Sequence, residues 1–387
     1  MRKRVRLGLL CLFLAFILSG CWSYRSLNDL AIVAGMTVDL DRDTNEYRLG
    51  FEIIDLSKDV KTGGLKTVLV ESKGKTIFDA ARNAKKRLEK KLYYGNTLLL
   101  VISEEIAKYN HLPHIIDWFL RDAELRETTQ IAVAQTPSAS DLLRINGINN
   151  AVISFEVANI ISDDPGITAS LSNPMLYQAY NILQTNGKSL TLPAFHIVSN
   201  DEEPVAEANG IAVFKRDSMI GYLTAEQVKY YLFVIGEVKG GIFTFSTKGT
   251  QEQDITLEIS KASSNNSYVI ENGVLNVKVK VEMQAFLAES AVGIDSLNMD
   301  EIGALEAMAG AALKERIESI INMVQTDYRS DIFGFGKMIH QQNPGLWKQI
   351  SDQWDDGFFQ SLAVSVNTKV KIENTAYLKN TKRENER

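Results

Sequence analysis

Histidine is the natural starting point, because it is the commonest general base near neutral pH and a frequent metal ligand. The 387-residue sequence has four histidines, at positions 111, 114, 196 and 340. His111 and His114 are spaced for one face of a helix, but Pro113 lies between them and no His-Glu-x-x-His pattern surrounds them. We therefore interpret them as surface or hydrogen-bonded histidines and predict no metal site.

Other catalytic patterns are incomplete. Gly187-Lys188-Ser189 resembles the end of a phosphate-binding loop, but Ile182 stands where that loop requires its first glycine, so a simple turn is predicted. The charged run Arg121–Arg126 is more typical of a local ion-pair network than of an acid–base pair. The sequence also has no Gly-x-Ser-x-Gly nucleophile elbow. We predict that the chain is not an enzyme and takes no cofactor.

Cys21 is the one residue with a definite predicted chemistry. Arg2, Lys3, Arg4 and Arg6 precede an apolar segment, Leu7–Leu18, and Ser19-Gly20 then lead to Cys21. This is the order of a secretory signal, and the apolar segment is shorter than the roughly 20 residues of a membrane-spanning helix. Leu18-Ser19-Gly20-Cys21 resembles the bacterial lipobox, in which a diacylglyceryl group is attached to the cysteine thiol. We therefore predict that residues 1–20 are a lipoprotein signal peptide and that Cys21 is lipidated.

The two cysteines and the charge restrict other functions. Cys11 lies in the predicted signal, so lipidation of Cys21 leaves no thiol for a disulfide or a metal. Removing the signal lowers the 42 basic residues to 38 while all 48 acidic residues remain, which gives a formal charge of −10. This charge argues against nucleic acid as a partner and against electrostatic binding to anionic lipids. The lipid is thus the predicted link to the membrane.

The first half of the sequence alternates strands and helices. Strands are predicted at 29–39, 47–54, 68–70, 98–102, 131–134 and 190–198, and helices at 76–90, 113–126, 140–143, 151–161 and 174–184. The cluster of lysine and arginine residues at the end of the predicted helix 76–90 is interpreted as a solvated last helical turn. The charged, proline-ended segment Asn200–Pro204 is predicted to be a linker.

The second half has the cleaner pattern. Apolar and polar residues alternate strictly at 255–260, 277–284 and 364–372, as in antiparallel strands with one face buried. Asn265-Asn266-Ser267 and Asn272-Gly273 are predicted turns. Helices are predicted at 225–235, with Thr224 and Gln227 as a capping box, and at 298–326, where Asn298 and Glu301 have the same spacing.

These elements predict an α+β protein of several domains, with mixed and antiparallel sheets and helices packed on one face. An N-terminal α+β region is predicted over residues 21–200, either as one unit or as two lobes. A C-terminal α+β domain with an antiparallel sheet and a long helix covers residues 205–378, and residues 379–387 form a polar tail.

Several motifs, in order, resemble the Ger(x)C family, the lipoprotein C subunits of spore germinant receptors. They are Gly20-Cys21-Trp22, Asn28–Val33, Lys91–Gly95, Ile102–Ala107, Arg121–Arg126, Gly210–Phe214, Asp331–Gly336, Pro344 and Trp347. The resemblance covers nearly the whole mature chain. It implies a three-domain α+β protein on the outer surface of the inner spore membrane. It also implies association with two integral-membrane subunits, called A and B, in a complex that responds to nutrient germinants.

The runner-up hypothesis is a solute-binding lipoprotein of a transporter, which would have two lobes of parallel strands with continuous apolar runs. Within the resemblance to a receptor subunit, Phe333 and Phe335 have two interpretations. They either enter the core, or one ring contacts a membrane subunit.

Overall fold

The structure is a computed structural model that describes residues 26, 29–55, 66–109, 111–122, 124–148, 152–201, 203–247, 253–290 and 299–373. The signal, Cys21, the predicted cap residue Asn298 and the predicted tail at 379–387 lie outside the described residues. The fold is α+β with mixed and antiparallel sheets, as the sequence predicted.

Thirteen strands are present in the described part of the chain. They are β1 (Leu30–Asp41), β2 (Glu46–Asp55), β3 (Lys66–Gly74), β4 (Lys91–Tyr93), β5 (Leu99–Ser103), β6 (Gln130–Ala134), β7 (Thr191–Asn200), β8 (Glu203–Lys215), β9 (Ser218–Leu223), β10 (Ile242–Ser246), β11 (Asp254–Glu271), β12 (Val274–Ser290) and β13 (Ala363–Ile372). They form one sheet of nine strands and one of four.

The α-helices of the same residues are α1 (Ile77–Asn83), α2 (Glu104–Lys108), α3 (Leu112–Arg121), α4 (Ala139–Leu142), α5 (Ile153–Ile167), α6 (Leu176–Leu183), α7 (Ala225–Ile235), α8 (Met299–Met323), α9 (Phe335–Gln342), α10 (Pro344–Ile350) and α11 (Phe359–Ser361). A short 3₁₀ turn, Ala84–Lys86, continues α1. Helix α7 has the predicted bounds, and Thr224 and Gln227 form the predicted capping box.

The large sheet has the order β3-β2-β1-β5-β6-β7-β8-β9, and β4 also pairs with β1. The pairs β1–β5, β5–β6 and β6–β7 are parallel, whereas the pairs toward both edges are antiparallel. All five residues of β5 are buried. One face packs against α1, α2, α3 and α6, and the other against α4 and α5. The helices of this sheet thus lie on both faces, which corrects the predicted single face: a parallel centre must be covered on both sides.

Two buried carboxylates fix α4 and α5 to the sheet. Glu52 accepts the backbone N–H of Ile153 and of Ser154, both at 3.0 Å, at the start of α5. Asp39 accepts the backbone N–H of Ala139 at 2.7 Å at the start of α4. Burial raises the pKa of both carboxyls, and these hydrogen bonds oppose that rise. The first N–H groups of a helix have no acceptor within the helix, and the two carboxylates supply acceptors for them.

Residues Asn200–Pro204 are not a linker. Asn200 pairs with Glu203 in the antiparallel hairpin of β7 and β8, and Asp201 adopts the left-handed conformation (φ 47°) that such a tight turn requires. The charge and proline of the segment therefore belong to the hairpin that joins β7 and β8. The division into regions 21–200 and 205–378 stays a prediction, since the hairpin shows only that strand pairing continues across it.

The small sheet has the order β10-β11-β12-β13, and its apolar residues face a core with α7 and α8. Asn272 and Gly273 form the predicted turn, both with positive φ. Asn265–Ser267, also a predicted turn, instead lies inside β11. The sheet is not wholly antiparallel, because β13 pairs in parallel with β12. A parallel partner needs a long crossover connection, and α8 lies in that connection.

Candidate functional site

The turn before α9 is built around a buried acid. The carboxylate of Asp331 is 1% exposed and accepts the backbone N–H groups of Gly334 at 2.8 Å, Phe335 at 3.2 Å and Gly336 at 2.8 Å. Gly334 has a φ of 79°, a conformation open to glycine at little cost. Asp331 thus satisfies the first N–H groups of α9, which have no partner within the helix.

Burial raises the pKa of the Asp331 carboxyl to about 6, and the three backbone hydrogen bonds oppose that rise. A buried carboxylate with a pKa near neutrality is a common sign of a catalytic acid or base. Here, however, both carboxylate oxygens already accept N–H groups of the chain's own backbone. The geometry therefore indicates a structural role for Asp331.

The same turn binds the segment Gly187–Ser189, which leads into β7 of the large sheet. The Lys337 N–H donates to the Gly187 carbonyl at 2.7 Å, and the Ser189 N–H donates to the Asp331 carbonyl at 2.7 Å. A Cβ atom on Gly336 would lie 2.8 Å from the Gly187 Cα, so only glycine permits this approach of the two backbones. We call residues 187–189 and 330–337 the junction, because they join the C-terminal helices to the large sheet.

Side chains reinforce the junction on both sides. The Ser330 hydroxyl lies 2.7 Å from the Ser189 hydroxyl and donates to the Phe214 carbonyl in β8 at 2.7 Å. The aliphatic part of Lys188 packs against Gly334, and burial lowers the pKa of its amine. Lys188 therefore belongs to a packed contact between two segments, not to a phosphate-binding loop.

Phe333 and Phe335 are part of the junction, and their rings lie in the hydrophobic core. They are 5% and 1% exposed, and their rings stack with centroids 5.2 Å apart. Trp354 packs against Gly336 and lies 5.3 Å from the ring of Trp347. This burial favours the core interpretation of Phe333 and Phe335 over the contact with a membrane subunit, because a ring inside the core is unavailable to a partner.

Three of the four histidines make different local contacts, and His114 lies near His111. His111 Nδ1 lies 2.7 Å from the Tyr47 hydroxyl, and His196 Nε2 lies 2.8 Å from a Glu207 carboxylate oxygen on the neighbouring strand. The ring of His340 stacks on Trp347 at 5.6 Å. Burial lowers the pKa of His111, and nearby His114 lowers it further. In the part of the chain that the structure describes, no group of three or more His, Cys, Asp or Glu residues is arranged to hold a metal ion.

In the part of the chain that the structure describes, ion pairs of the charged run Arg121–Arg126 reach residues outside the run. Arg121 bonds to Asp117 at 2.7 Å, one helical turn earlier, and Glu124 bonds to Lys91 at the start of β4. The run therefore links α3 to the strand beside β1. No described helix combines the length and apolar character needed to cross a membrane.

The junction was not predicted from the sequence, although both of its parts had been singled out. Gly187-Lys188-Ser189 was considered for phosphate and rejected, and Asp331–Gly336 was used as a family motif and for the two interpretations of its phenylalanine rings. One signal was available: an acid followed by glycines three and five residues later is the spacing of a side chain that caps a helix start. The pairing of the two segments leaves no comparable signal in a single sequence.

Asp331→Asn should flatten the pH dependence of folding. The folded-state pKa of about 6 lies above the unfolded value of 3.8, so the folded chain holds a proton that the unfolded chain releases. The stability gained from this proton is complete below about pH 4 and is lost as the pH rises through about 6. From well below pH 4 to well above pH 6, the unfolding free energy of the wild type should fall by about 3 kcal/mol relative to the variant.

Urea unfolding of both proteins across this pH range measures the difference. The matched control is Asp327→Asn, which removes an exposed carboxyl four residues earlier. The same pH slope in the wild type and in Asp331→Asn would contradict the assignment of Asp331.

Two protein-family models match the chain, over consecutive parts of its sequence. "Spore germination protein N-terminal domain" matches residues 23–197, and "Spore germination B3/ GerAC like, C-terminal" matches residues 209–376. The unmatched residues between them include the turn of the β7–β8 hairpin. Together the two matches span almost the whole chain after residue 22.

Curated relatives match over similar lengths. Spore germination protein B3 of Bacillus subtilis (strain 168) is 23% identical over 354 residues, which is 90% of this chain and 92% of that protein. Spore germination protein KC of the same organism is 23% identical over 403 residues, or 98% of each chain. The crystal structure of the GerBC protein is 19% identical, covers 88% of this chain and 97% of that chain, and has a TM-score of 0.58, which shows a likeness in fold.

Proposed function

The chain belongs to the Ger(x)C family of spore germination proteins, and from that premise we propose that it is the lipid-anchored, non-catalytic C subunit of a spore germinant receptor. The observation that carries the proposal is the match of both family domains, in order, over residues 23–197 and 209–376. On this proposal the protein is required for the response of the spore to nutrient germinants.

The proposed anchor is a lipid on Cys21, which places the protein on the outer surface of the inner spore membrane. The signal-like residues 1–20 and the lipobox resemblance support it. Two acyl chains hold a protein stably, whereas a single chain gives marginal and reversible binding.

The proposed partners are the integral-membrane A and B subunits of the receptor. The contacts of the histidines and of Asp331 support a role without catalysis, because these groups bond to the chain itself.

Affinity purification of a tagged chain from spore membranes tests the proposal. We expect two multispanning membrane proteins to be recovered with it. We also expect spores without the chain to lose their germination response to at least one nutrient while still germinating with a trigger that bypasses receptors. Recovery of an ATPase and a permease instead would favour the solute-binding lipoprotein and overturn the receptor assignment.

A further inference from the structure

The chain enters the fold beside a basic segment. β1 begins at Leu30, which pairs in parallel with Lys91, the first residue of β4. Just before β1, the Asp29 N–H donates to the Ser26 carbonyl at 3.0 Å. Cys21 lies five residues before Ser26, and because an extended chain spans at most about 3.6 Å per residue, a lipid on Cys21 is held within about 18 Å of Ser26. Whatever surface surrounds this entry point is therefore close to the bilayer.

That surface carries exposed cations and one exposed aromatic ring. Phe78, Arg82, Lys85, Lys90 and Lys91, here called the basic surface, line a depression of about 510 Å³ together with Asp29. All five of these residues are exposed, and the Phe78 side chain is 52% exposed. The Arg82 guanidinium lies 4.8 Å from the centre of the Phe78 ring, so both side chains project from the same side of α1.

Acidic residues share the depression but leave most of the cations unpaired. Glu89, Asp122 and Glu124 line it as well. Glu124 is bonded to Lys91, and Asp122 accepts the backbone N–H of Glu124 at 2.9 Å. Among the residues that the structure describes, Arg82, Lys85 and Lys90 have no acid in ion-pair contact, and Lys85 donates to the Glu89 backbone carbonyl. These three cations are available to an external anion.

We propose that the basic surface lies against the phosphate headgroups of the membrane that holds the Cys21 lipid. The proposal rests on the lipid anchor of the proposed function and adds the orientation of the folded chain on the bilayer. The Lys and Arg side chains meet the anionic headgroups, while the Phe78 ring enters the headgroup region.

The formal charge of −10 on the mature chain does not prevent the basic surface from binding anionic headgroups, because electrostatic attraction to a bilayer acts over only about 8 Å at physiological salt. Only the charges held near the surface are attracted or repelled, and the anchor selects which ones those are. A basic patch also complements a lipid anchor, since stable membrane binding commonly uses two signals. Phe78 is exposed although phenylalanine is usually buried, which agrees with a ring that has an apolar environment outside the protein.

A spin label at position 78 tests the proposal on the full acylated chain. Cys11 leaves with the signal and the Cys21 thiol is blocked by its lipid, so Phe78→Cys gives a single reactive thiol. The labelled protein is reconstituted into vesicles of phosphatidylcholine with phosphatidylglycerol, and into vesicles of phosphatidylcholine alone. The matched control is Ile270→Cys, which replaces an equally exposed apolar residue of the small sheet, 55% exposed.

We expect the label at 78, and not the label at 270, to be relaxed by dissolved oxygen and shielded from a water-soluble relaxation agent in the anionic vesicles. Lys85→Glu combined with Lys90→Glu should abolish that shielding, as should neutral vesicles, with the unfolding temperature unchanged. Equal water exposure of both labels in acylated protein would overturn the proposal and leave the anchor intact. Shielding only when the membrane subunits are present would overturn it in favour of a protein contact. A chain that takes up no fatty acid would instead refute the anchor itself.

Discussion

Cys21→Ala should yield a folded chain that carries no fatty acid and is almost completely lost from the membrane fraction. The thiol of Cys21 is the predicted acceptor of the lipid, and acyl chains hold a protein to a bilayer by about 0.8 kcal/mol per buried CH₂ group. Folding should be preserved, because β1 begins nine residues later, at Leu30. Growth with labelled palmitate, followed by fractionation of the membranes, measures both effects.

Cys11→Ala is the matched control for this experiment. It removes the other cysteine of the chain, which lies in the segment that the signal prediction removes. This variant should be labelled and fractionate like the wild type. If Cys21→Ala were still labelled and still bound to membranes, the lipid would be attached elsewhere and the anchor assignment would be wrong.

Elements set by local chemistry were predicted well. Helix α7 was placed to the residue, because Thr224 and Gln227 bond reciprocally to each other's backbone N–H at its start. The apolar residues of β12 from Leu275 to Ala285 are all buried, as their strict alternation predicted. In both cases the information lies within one turn of helix or one strand.

The misassigned turn at Asn265–Ser267 shows where local chemistry is misleading. These residues favour turns because their side chains bond to nearby backbone. In the structure, Ser264 and Asn266 instead donate to the Val234 carbonyl at 2.9 Å, near the end of α7. That carbonyl has no partner within its own helix, so a tertiary contact supplies the hydrogen bonds that a turn would otherwise provide.

Strand direction was the other feature beyond the reach of the sequence. Alternation specifies that β13 has one buried face, but this pattern is the same for a parallel and an antiparallel partner. The parallel centre of the large sheet was likewise not predicted, although the continuous apolar run of β5 is typical of a strand covered on both faces. Such strands are also typical of the solute-binding alternative. The two family matches show a spore germination family, and the receptor role of the chain stays a proposal.

The junction illustrates why a site is harder to predict than a fold. Gly187 and Gly336 are 149 positions apart, and each looks like an ordinary loop glycine in the sequence. Their roles arise from the contact between them, since each lacks a side chain where the other's backbone lies. Asp331 left only its spacing to Gly334 and Gly336 as a signal, because its carboxylate bonds to its own chain.

Phe335→Ala should be the most destabilising of the substitutions considered, at about 3–5 kcal/mol of unfolding free energy, which is the usual cost of truncating a buried phenylalanine. The ring is 1% exposed, stacks on Phe333 and stands at the first residue of α9. Removing the ring leaves a cavity. The backbone contact of Gly187 with Gly336 keeps the surrounding chain from moving in to fill that cavity. Phe333→Ala, at a ring 5% exposed, should cost a similar amount.

Thermal and urea unfolding of the variants, with recovery of the receptor complex and germination of the spores, distinguishes the two roles proposed for these rings. Ile270→Ala is the matched control, since it truncates an apolar side chain that is 55% exposed and lies outside the basic surface, so the unfolding free energy should be unchanged. If the rings belong only to the core, stability falls first and complex recovery falls with it. If Phe333 contacts a membrane subunit, its variant unfolds like the wild type but fails to assemble. Wild-type values for both variants in every measurement would contradict both roles, because the core role requires a loss of stability and the contact role requires a loss of assembly.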